Sequence, residues 1–372
     1  MKSLLTLPKL LPRSFICQSC IRSTRIYSTT ANPPPPPPSA ISLLSSRRLI
    51  SLRGPDATKY LQGVITANLS PSTPRGSGFY AAFLNAQGRV LNDVFIYSEM
   101  VDGERGWLIE VDAEEAERLA KHIKRYRLRA KFDVRLVDEG ERAVWSVWRG
   151  EGWTKHSLGS GKERGVGCED SRAPGMGRRL ILPAGAKPEE EMEEVNESTY
   201  RVRRYLKGVA EGQDEIVRET ALPQQSNIDL MGGIDYRKGC YVGQELTIRT
   251  HHTGVVRKRI LPVMLYRGDE SIPTTLEYLP EKDLGIQDIP AGTNIARLEK
   301  SRRNTGNWLA GMGNIGLGLC RLEVMTDVNS GGELSAYKEG SEFKLEWGLE
   351  EQVLQMARVK AFVPLWHLTK QW

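Results

Sequence analysis

Apolar positions recur along the chain with changing spacing, and each spacing predicts a different element. Ala57, Tyr60, Leu61 and Val64 fall at i, i+3, i+4 and i+7 behind Gly54-Pro55, one buried helix face with proline at its start. Residues 79–84 and 89–97 alternate or run apolar around Asn85-Ala-Gln-Gly88, which predicts a β-hairpin. A period of two across its second strand puts Val90, Asn92, Val94 and Ile96 on one face and Leu91, Asp93, Phe95 and Tyr97 on the other. Trp107–Val111 reads as a strand, and Asp112 with Glu115 as a capping box. The helix behind it carries the stripe Ala116, Leu119, Ala120 and Ile123 and runs to about Arg127. Phe132–Val137, Ala143–Trp148 and Arg179–Leu182 read as strands, and helical spacing returns at Val202, Tyr205, Leu206 and Val209. This order predicts an α+β layer with antiparallel pairing. From Leu261 to Phe362, short strands broken by Pro and Gly predict a small C-terminal β-barrel or sandwich. Residues 149–177, 267–287 and the acidic run Glu189–Glu194 read as surface segments.

The charge changes the picture at the N-terminus. Residues 1–31 carry Lys2, Lys9, Arg13, Arg22 and Arg25, many Ser and Thr, and no acid, a composition expected of a mitochondrial presequence cut near Tyr27. Pro33–Pro38 reads as a stiff linker, which bounds a leader-plus-linker at 1–38 and a body at 39–260 and 261–372. Five of the 52 basic residues lie in the leader, leaving 47 against 46 acids. The net charge of +6 therefore reports targeting, and no nucleic acid is expected as a partner. No apolar run reaches 18 residues, so no membrane span is expected. Cys17, Cys20, Cys168, Cys240 and Cys320 are odd in number and scattered, which argues for a reducing compartment and against a disulfide framework.

Candidate chemistry concentrates in Lys238-Gly-Cys-Tyr-Val-Gly-Gln-Glu245. Cys240 has Lys238 two residues before it and Glu245 five after, and Gly239 and Gly243 bracket it in what reads as a stiff turn. A nearby ammonium favours the thiolate, the form that attacks or binds metal. The opposing reading, a small buried cysteine, fits poorly with such polar neighbours. Two other motifs are discounted. Gly311-Met-Gly-Asn-Ile-Gly316 matches a dinucleotide fingerprint, but Leu317–Val324 behind it alternates like a strand where a helix is required. His251-His252, read as extended, would point to opposite faces and form no metal site.

Together with Leu222–Asn227, Gly233–Lys238, Leu246–Arg249 and Gly254–Arg259, the octapeptide closely resembles the KGCYxGQE signature of mitochondrial iron–sulfur cluster assembly factors related to the glycine-cleavage T-protein. Arg53–Thr66 and Phe83–Asp93 are similar to that family's opening helix and first hairpin. The resemblance implies a three-lobed T-protein-like fold around a central cavity, with tetrahydrofolate as a possible ligand and no permanently bound metal. It implies late action in [4Fe–4S] assembly in the mitochondrial matrix, with A-type carrier proteins and [4Fe–4S] client enzymes as partners. Asn85, Asp93, Asn227, Tyr241, Gln244 and Arg249 are the expected cofactor-side residues. Tyr241 and Gln244 would shield or orient the thiolate, and Arg249 would pair with Glu245 or a folate carboxylate. T-protein relatives carry adjacent acids on the strand after the first hairpin. Here the pair is Asn92-Asp93, which weighs against aminomethyl transfer. Three readings follow: an assembly factor with a transiently ligating or persulfide-forming Cys240, a non-catalytic matrix adaptor, and a folate-dependent one-carbon transferase.

Overall fold

The alternating segments of the first half pair into two antiparallel sheets. The strands are Ala40–Leu43 (β1), Arg47–Arg53 (β2), Gly78–Leu84 (β3), Val90–Val101 (β4), Glu104–Asp112 (β5), Asp133–Leu136 (β6), Arg142–Trp148 (β7), Val166–Glu169 (β8) and Arg178–Pro183 (β9). They are ordered β3-β4-β5-β2-β6 in one sheet and β1-β7-β9-β8 in the other. This computed structural model describes residues 32–69, 78–101, 103–150, 166–282, 284–298, 305–328, 337–348 and 355–369. The leader, with Cys17, Cys20 and the expected cut, lies outside them.

Two helices, Ala57–Val64 (α1) and Ala116–Tyr126 (α2), bury their stripes on one face of the five-stranded sheet. There Leu61, Leu119 and Ile123 join Val94, Ile96 and Ile109 in one apolar cluster. Leu108 and Tyr97 belong to a second, larger cluster shared with Trp148, with Tyr200 and Tyr205 of Glu197–Lys207 (α3), and with Ile260 and Ile315 farther along the chain. That cluster joins all the lobes into one body.

The C-terminal region is a closed six-stranded barrel of Lys258–Tyr266 (β10), Asn294–Arg297 (β11), Gly306–Met312 (β12), Ile315–Arg321 (β13), Phe343–Trp347 (β14) and Gln355–Ala361 (β15). Closure removes the sheet edges, so the sandwich alternative falls away. The dinucleotide-like glycines serve packing: a Cβ on Gly311 or Gly316 would run into the buried Trp308 ring. The strand β13 follows them, as the alternation requires.

Several local expectations are corrected. Alternation in β4 breaks at Leu91, because Phe83 pairs with Asn92 and Leu84 with Val90, leaving one extra residue. Val90 therefore joins the cluster of Phe95 and Tyr97, and Leu91 that of Val94 and Ile96. The capping box does not form; Asp112 accepts the N–H groups of Glu114 (2.9 Å) and Gln213 (3.1 Å) instead. Residues 166–177 are not a surface insertion, since β8 lies there and Asp170 and Arg172 are buried. His251 and His252 sit on a helix, Gln244–Thr253 (α4), not on a strand.

The proline run is no free spacer. The Trp148 indole donates to the Pro37 carbonyl (2.9 Å), and the Tyr278 hydroxyl to that of Pro33 (2.8 Å). Asn32 Nδ2 reaches the Pro280 carbonyl at 2.8 Å. A stiff extended run loses little entropy when laid down, so few bonds suffice to strap it from the four-stranded sheet to the barrel.

Candidate functional site

The loop carrying Cys240 is stitched to the chain after α1. Thr66 Oγ1 donates to the Gly233 carbonyl (2.6 Å), the Asp235 N–H to that of Thr66 (3.0 Å), and the Val242 N–H to that of Gly63 (3.0 Å). Lys238 Nζ donates to the carbonyls of Ile65 (2.6 Å) and Ala67 (2.8 Å) and lies 4.8 Å from the Tyr241 ring centroid. The lysine thus fastens the loop to the chain after α1. Tyr241 is buried, which pushes its phenol up to about 12 and keeps it protonated at neutral pH. Between these two anchors Gly239 and Cys240 are exposed. Of the free cysteines described, Cys168 and Cys320 are buried and Cys240 is not.

The bracketing glycines differ from each other. Gly243 is left-handed, φ 78°, and begins α4. A Cβ there would overlap the Asn85 carbonyl oxygen and lie 2.9 Å from the Leu84 Cβ, so Gly243 is where the loop touches the first hairpin. Gly239 is not left-handed and faces open space, so it does not serve as a hinge. Gln244 Oε1 accepts the Tyr241 N–H (3.1 Å), tightening the turn beside the thiol. Glu245 and Arg249 are exposed on α4, and no ion pair joins them among the described residues.

Three of the expected cofactor-side residues are engaged within the protein. Asn85 Oδ1 accepts the N–H groups of Gln87 (3.1 Å) and Arg89 (2.9 Å), holding its own turn. Asn227, φ 61°, donates to the Ile260 carbonyl (2.7 Å) and accepts from Arg259 (3.3 Å), tying its loop to the barrel. Arg259 also grips Asp229 with two bonds of 2.9 Å. Asp93 lies fully buried within a different constellation.

That constellation fills the junction of the two sheets with α3. Glu110 accepts from Arg47 Nε (3.0 Å), Arg179 Nη1 (3.0 Å) and the Tyr97 hydroxyl (2.6 Å). Arg179 also pairs with Glu211 and donates to Tyr200 (2.6 Å). Arg172 grips Asp170 at 2.9 and 2.7 Å and reaches Glu211 at 2.8 Å. Arg204 grips Glu215 at 2.7 and 2.9 Å. Asp93 Oδ1 accepts the Gly212 N–H (3.1 Å), and its Oδ2 lies 3.9 Å from Arg47 Nη1.

Four arginines here face five carboxyls: Asp93, Glu110, Asp170, Glu211 and Glu215. Burial, aided by Glu211 and opposed by Arg47, pushes the Asp93 carboxyl up. Against the desolvation of burial, the arginines hold Asp170 below and Glu211 well below the usual carboxylate range. Asp93 Oδ2, Arg47 Nη1 and Tyr80 Oη are buried without hydrogen-bond partners. Tyr80 connects this junction to the thiol loop, because a Cβ on Gly233 would lie 2.9 Å from its ring.

Sequence reasoning missed this network, though Glu110 inside Trp107-Leu-Ile-Glu-Val111 was a visible signal. A carboxylate within an apolar strand requires a buried partner.

Comparison with known proteins places this geometry. The architecture matches the glycine cleavage system aminomethyltransferase T from Bartonella henselae, with a TM-score of 0.60 at 13% identity over 88% of this chain and 86% of that one. Residues 257–367 match the family model for the CAF17 C-terminal β-barrel domain. The chain thus has the aminomethyltransferase T fold with a CAF17-type barrel. It is 51% identical over 365 residues to the mitochondrial iron–sulfur cluster assembly factor IBA57 homolog of Pyricularia oryzae, covering 95% of this chain and 92% of the relative. The corresponding homolog of Chaetomium globosum is 47% identical, covering 90% and 85%. The chain belongs to the IBA57 family of mitochondrial iron–sulfur cluster assembly factors. The mitochondrial address expected from the leader agrees with these relatives.

Gly243→Ala is expected to destabilise the fold by about 1–3 kcal/mol through backbone strain, and further through overlap with Asn85. Gly239→Ala is expected to stay within about 0.5 kcal/mol of the parent. Urea denaturation of both checks the contrast.

The network predicts opposite pH signatures. A raised Asp93 pKa means the folded state binds the extra proton, so its penalty grows as pH rises from the unfolded to the folded value. Asp93→Asn should therefore gain on the parent from about pH 4 toward neutrality. Lowered Glu211 contributes stability above its unfolded pKa and loses it in acid. Glu211→Gln should cost about 3–5 kcal/mol at neutral pH and less in acid. Denaturation midpoints across that range test both.

Proposed function

We propose that this chain acts late in [4Fe–4S] cluster assembly in the mitochondrial matrix, with Cys240 as a transient ligand to cluster iron. The observation that carries this reading is the exposure of Cys240 on a firmly anchored loop while Cys168 and Cys320 are buried. On ligation the thiol gives its proton to solvent and its sulfur coordinates iron. A [4Fe–4S] cluster takes four thiolates, and among the described residues no three His, Cys, Asp or Glu side chains gather for a metal. The remaining ligands therefore come from a partner, which fits an A-type carrier handing its cluster to client enzymes. The exposed Val242, Glu245 and Arg249 beside the thiol offer that partner a mixed apolar and charged surface.

Cys240→Ser, introduced into cells lacking the native protein, is expected to leave aconitase activity and protein lipoylation as low as no rescue at all. The purified variant should melt with the parent, because the side chain is exposed. Full rescue would sink the thiol role.

A folate reading keeps one foothold. The atoms of Asp93, Arg47 and Tyr80 that lack hydrogen bonds offer a carboxyl, a guanidinium and a hydroxyl to the donor–acceptor edge of a pterin. Bound tetrahydrofolate would supply a one-carbon carrier, but Asn92 is taken up by Arg218 (2.7 Å) and Gln213 (3.1 Å) and provides no base. Tetrahydrofolate is expected to bind by equilibrium titration without methylene transfer from an aminomethyl donor. Turnover would restore the transferase reading.

A further inference from the structure

One surface is used neither by the thiol loop nor by the buried network. Residues 118–132 contain Arg118, Lys121, Lys124, Arg125, Arg127, Arg129 and Lys131 and no Asp or Glu. In α2 the apolar stripe Ala116, Leu119, Ala120 and Ile123 is buried, which turns Arg118, Lys121 and Arg125 outward along one face at i, i+3 and i+7. Glu115 and Glu117 pair with Arg118 and Lys121 at 3.4 Å each, so the first turn is neutralised. Farther along, Lys124, Arg125, Arg129 and Lys131 are exposed and form no ion pair among the described residues.

The turn after α2 has a second peculiarity. Leu128 holds a left-handed backbone, φ 50°, and is 84% exposed, while Tyr126 beside it is 51% exposed. A branched side chain gains nothing from that conformation, which costs roughly 1–3 kcal/mol. Next to these residues lies a shallow concavity of about 410 Å3, lined by Arg53, Pro55, Arg127, Leu128, Arg129 and Lys131. Asp133 also lines it, and Asp56 accepts the Lys131 N–H at 2.7 Å, so the basic rim is not wholly unopposed.

We propose that this tract is a peripheral membrane-docking surface, in which its cations meet anionic phospholipid headgroups and Leu128 and Tyr126 enter the interface between headgroups and acyl chains. Charge complementarity commits the surface to that occupant. The cations are spread along a helix face and a turn, which suits a diffuse sheet of phosphate charge better than one small anion. Leu128 lines the concavity among the cations, and Tyr126 packs on His122 (4.6 Å between ring centroids) beside Arg125. The concavity is shallow and its charged lining mostly basic, which suits phosphate headgroups better than an apolar peptide side chain. The helix is short and its inner face is buried, so the contact lies on the membrane without spanning it. It leaves the Cys240 loop, carried by a different part of the chain, available to a partner.

Flotation of the full-length folded protein with vesicles of phosphatidylcholine, alone or mixed with an equal part of phosphatidylglycerol, tests the proposal. Binding is expected only to the mixed vesicles and should weaken with salt. The triple variant K124E/R129E/K131E should lose on the order of 100-fold in partition. Leu128→Gly relieves the left-handed strain, so it should fold at least as well as the parent by circular dichroism and still bind several-fold more weakly. Equal partition to both vesicles, no partition, or full binding by the triple variant would overturn the proposal. So would capture of a soluble polyglutamate peptide by a protein that ignores the mixed vesicles, which would mark an acidic-protein surface instead.

Discussion

The fold depends on burying charge between its two sheets. Arg47, Arg172, Arg179 and Arg204 come from β2, the β8–β9 connection, β9 and α3, and each pairs with a carboxylate on another segment, Glu110 for Arg47, Glu211 for Arg172 and Arg179, and Glu215 for Arg204. Withdrawing such ions from water costs several kcal/mol apiece, recovered only when every partner is in place. The junction therefore tolerates little variation in how the lobes meet. That intolerance fixes the sheet whose β3–β4 hairpin receives the thiol loop.

The loop follows from that fixed platform. Asn85 shapes the hairpin turn, Gly243 lets the loop approach it, and Lys238 and Tyr241 hold the two sides of Cys240. An exposed thiol on a mobile loop would lose conformational entropy on meeting a partner; one held this way has lost it already. Lys238, Tyr241, Gly243 and Gln244 thus hold the loop in place, and Cys240 stands exposed between them.

Much of this architecture was legible, and the failures have physical causes. Hairpin, helix stripes and barrel rested on local periodicity and pairing of neighbours, which the sequence displays directly. The strand reading of His251-His252 failed because Thr247, Ile248, Thr250 and Thr253 favour strands, while Gly243, Gly254 and buried Thr247 impose a helix. The β4 alternation failed at a bulge, which inserts a residue without changing composition. The structural work of Asn85 and Asn227 was not legible, because a polar residue in a loop satisfies its own or a neighbouring backbone as readily as a ligand. The network was out of reach because its partners lie far apart in the chain, Asp93 and Gly212 by 119 residues.

Tyr80 gives the two sites a common boundary. Its ring abuts Gly233 at the root of the thiol loop, while its hydroxyl, pushed well above the usual phenol range by burial and then by Asp93, belongs to the junction. A side chain at Gly233 would overlap both this ring and Ile228, so only glycine lets the loop root pack here. Packed contacts of this kind move in discrete steps, because a dense interior cannot deform smoothly. The thiol loop and the buried junction therefore share one tightly packed residue, Tyr80.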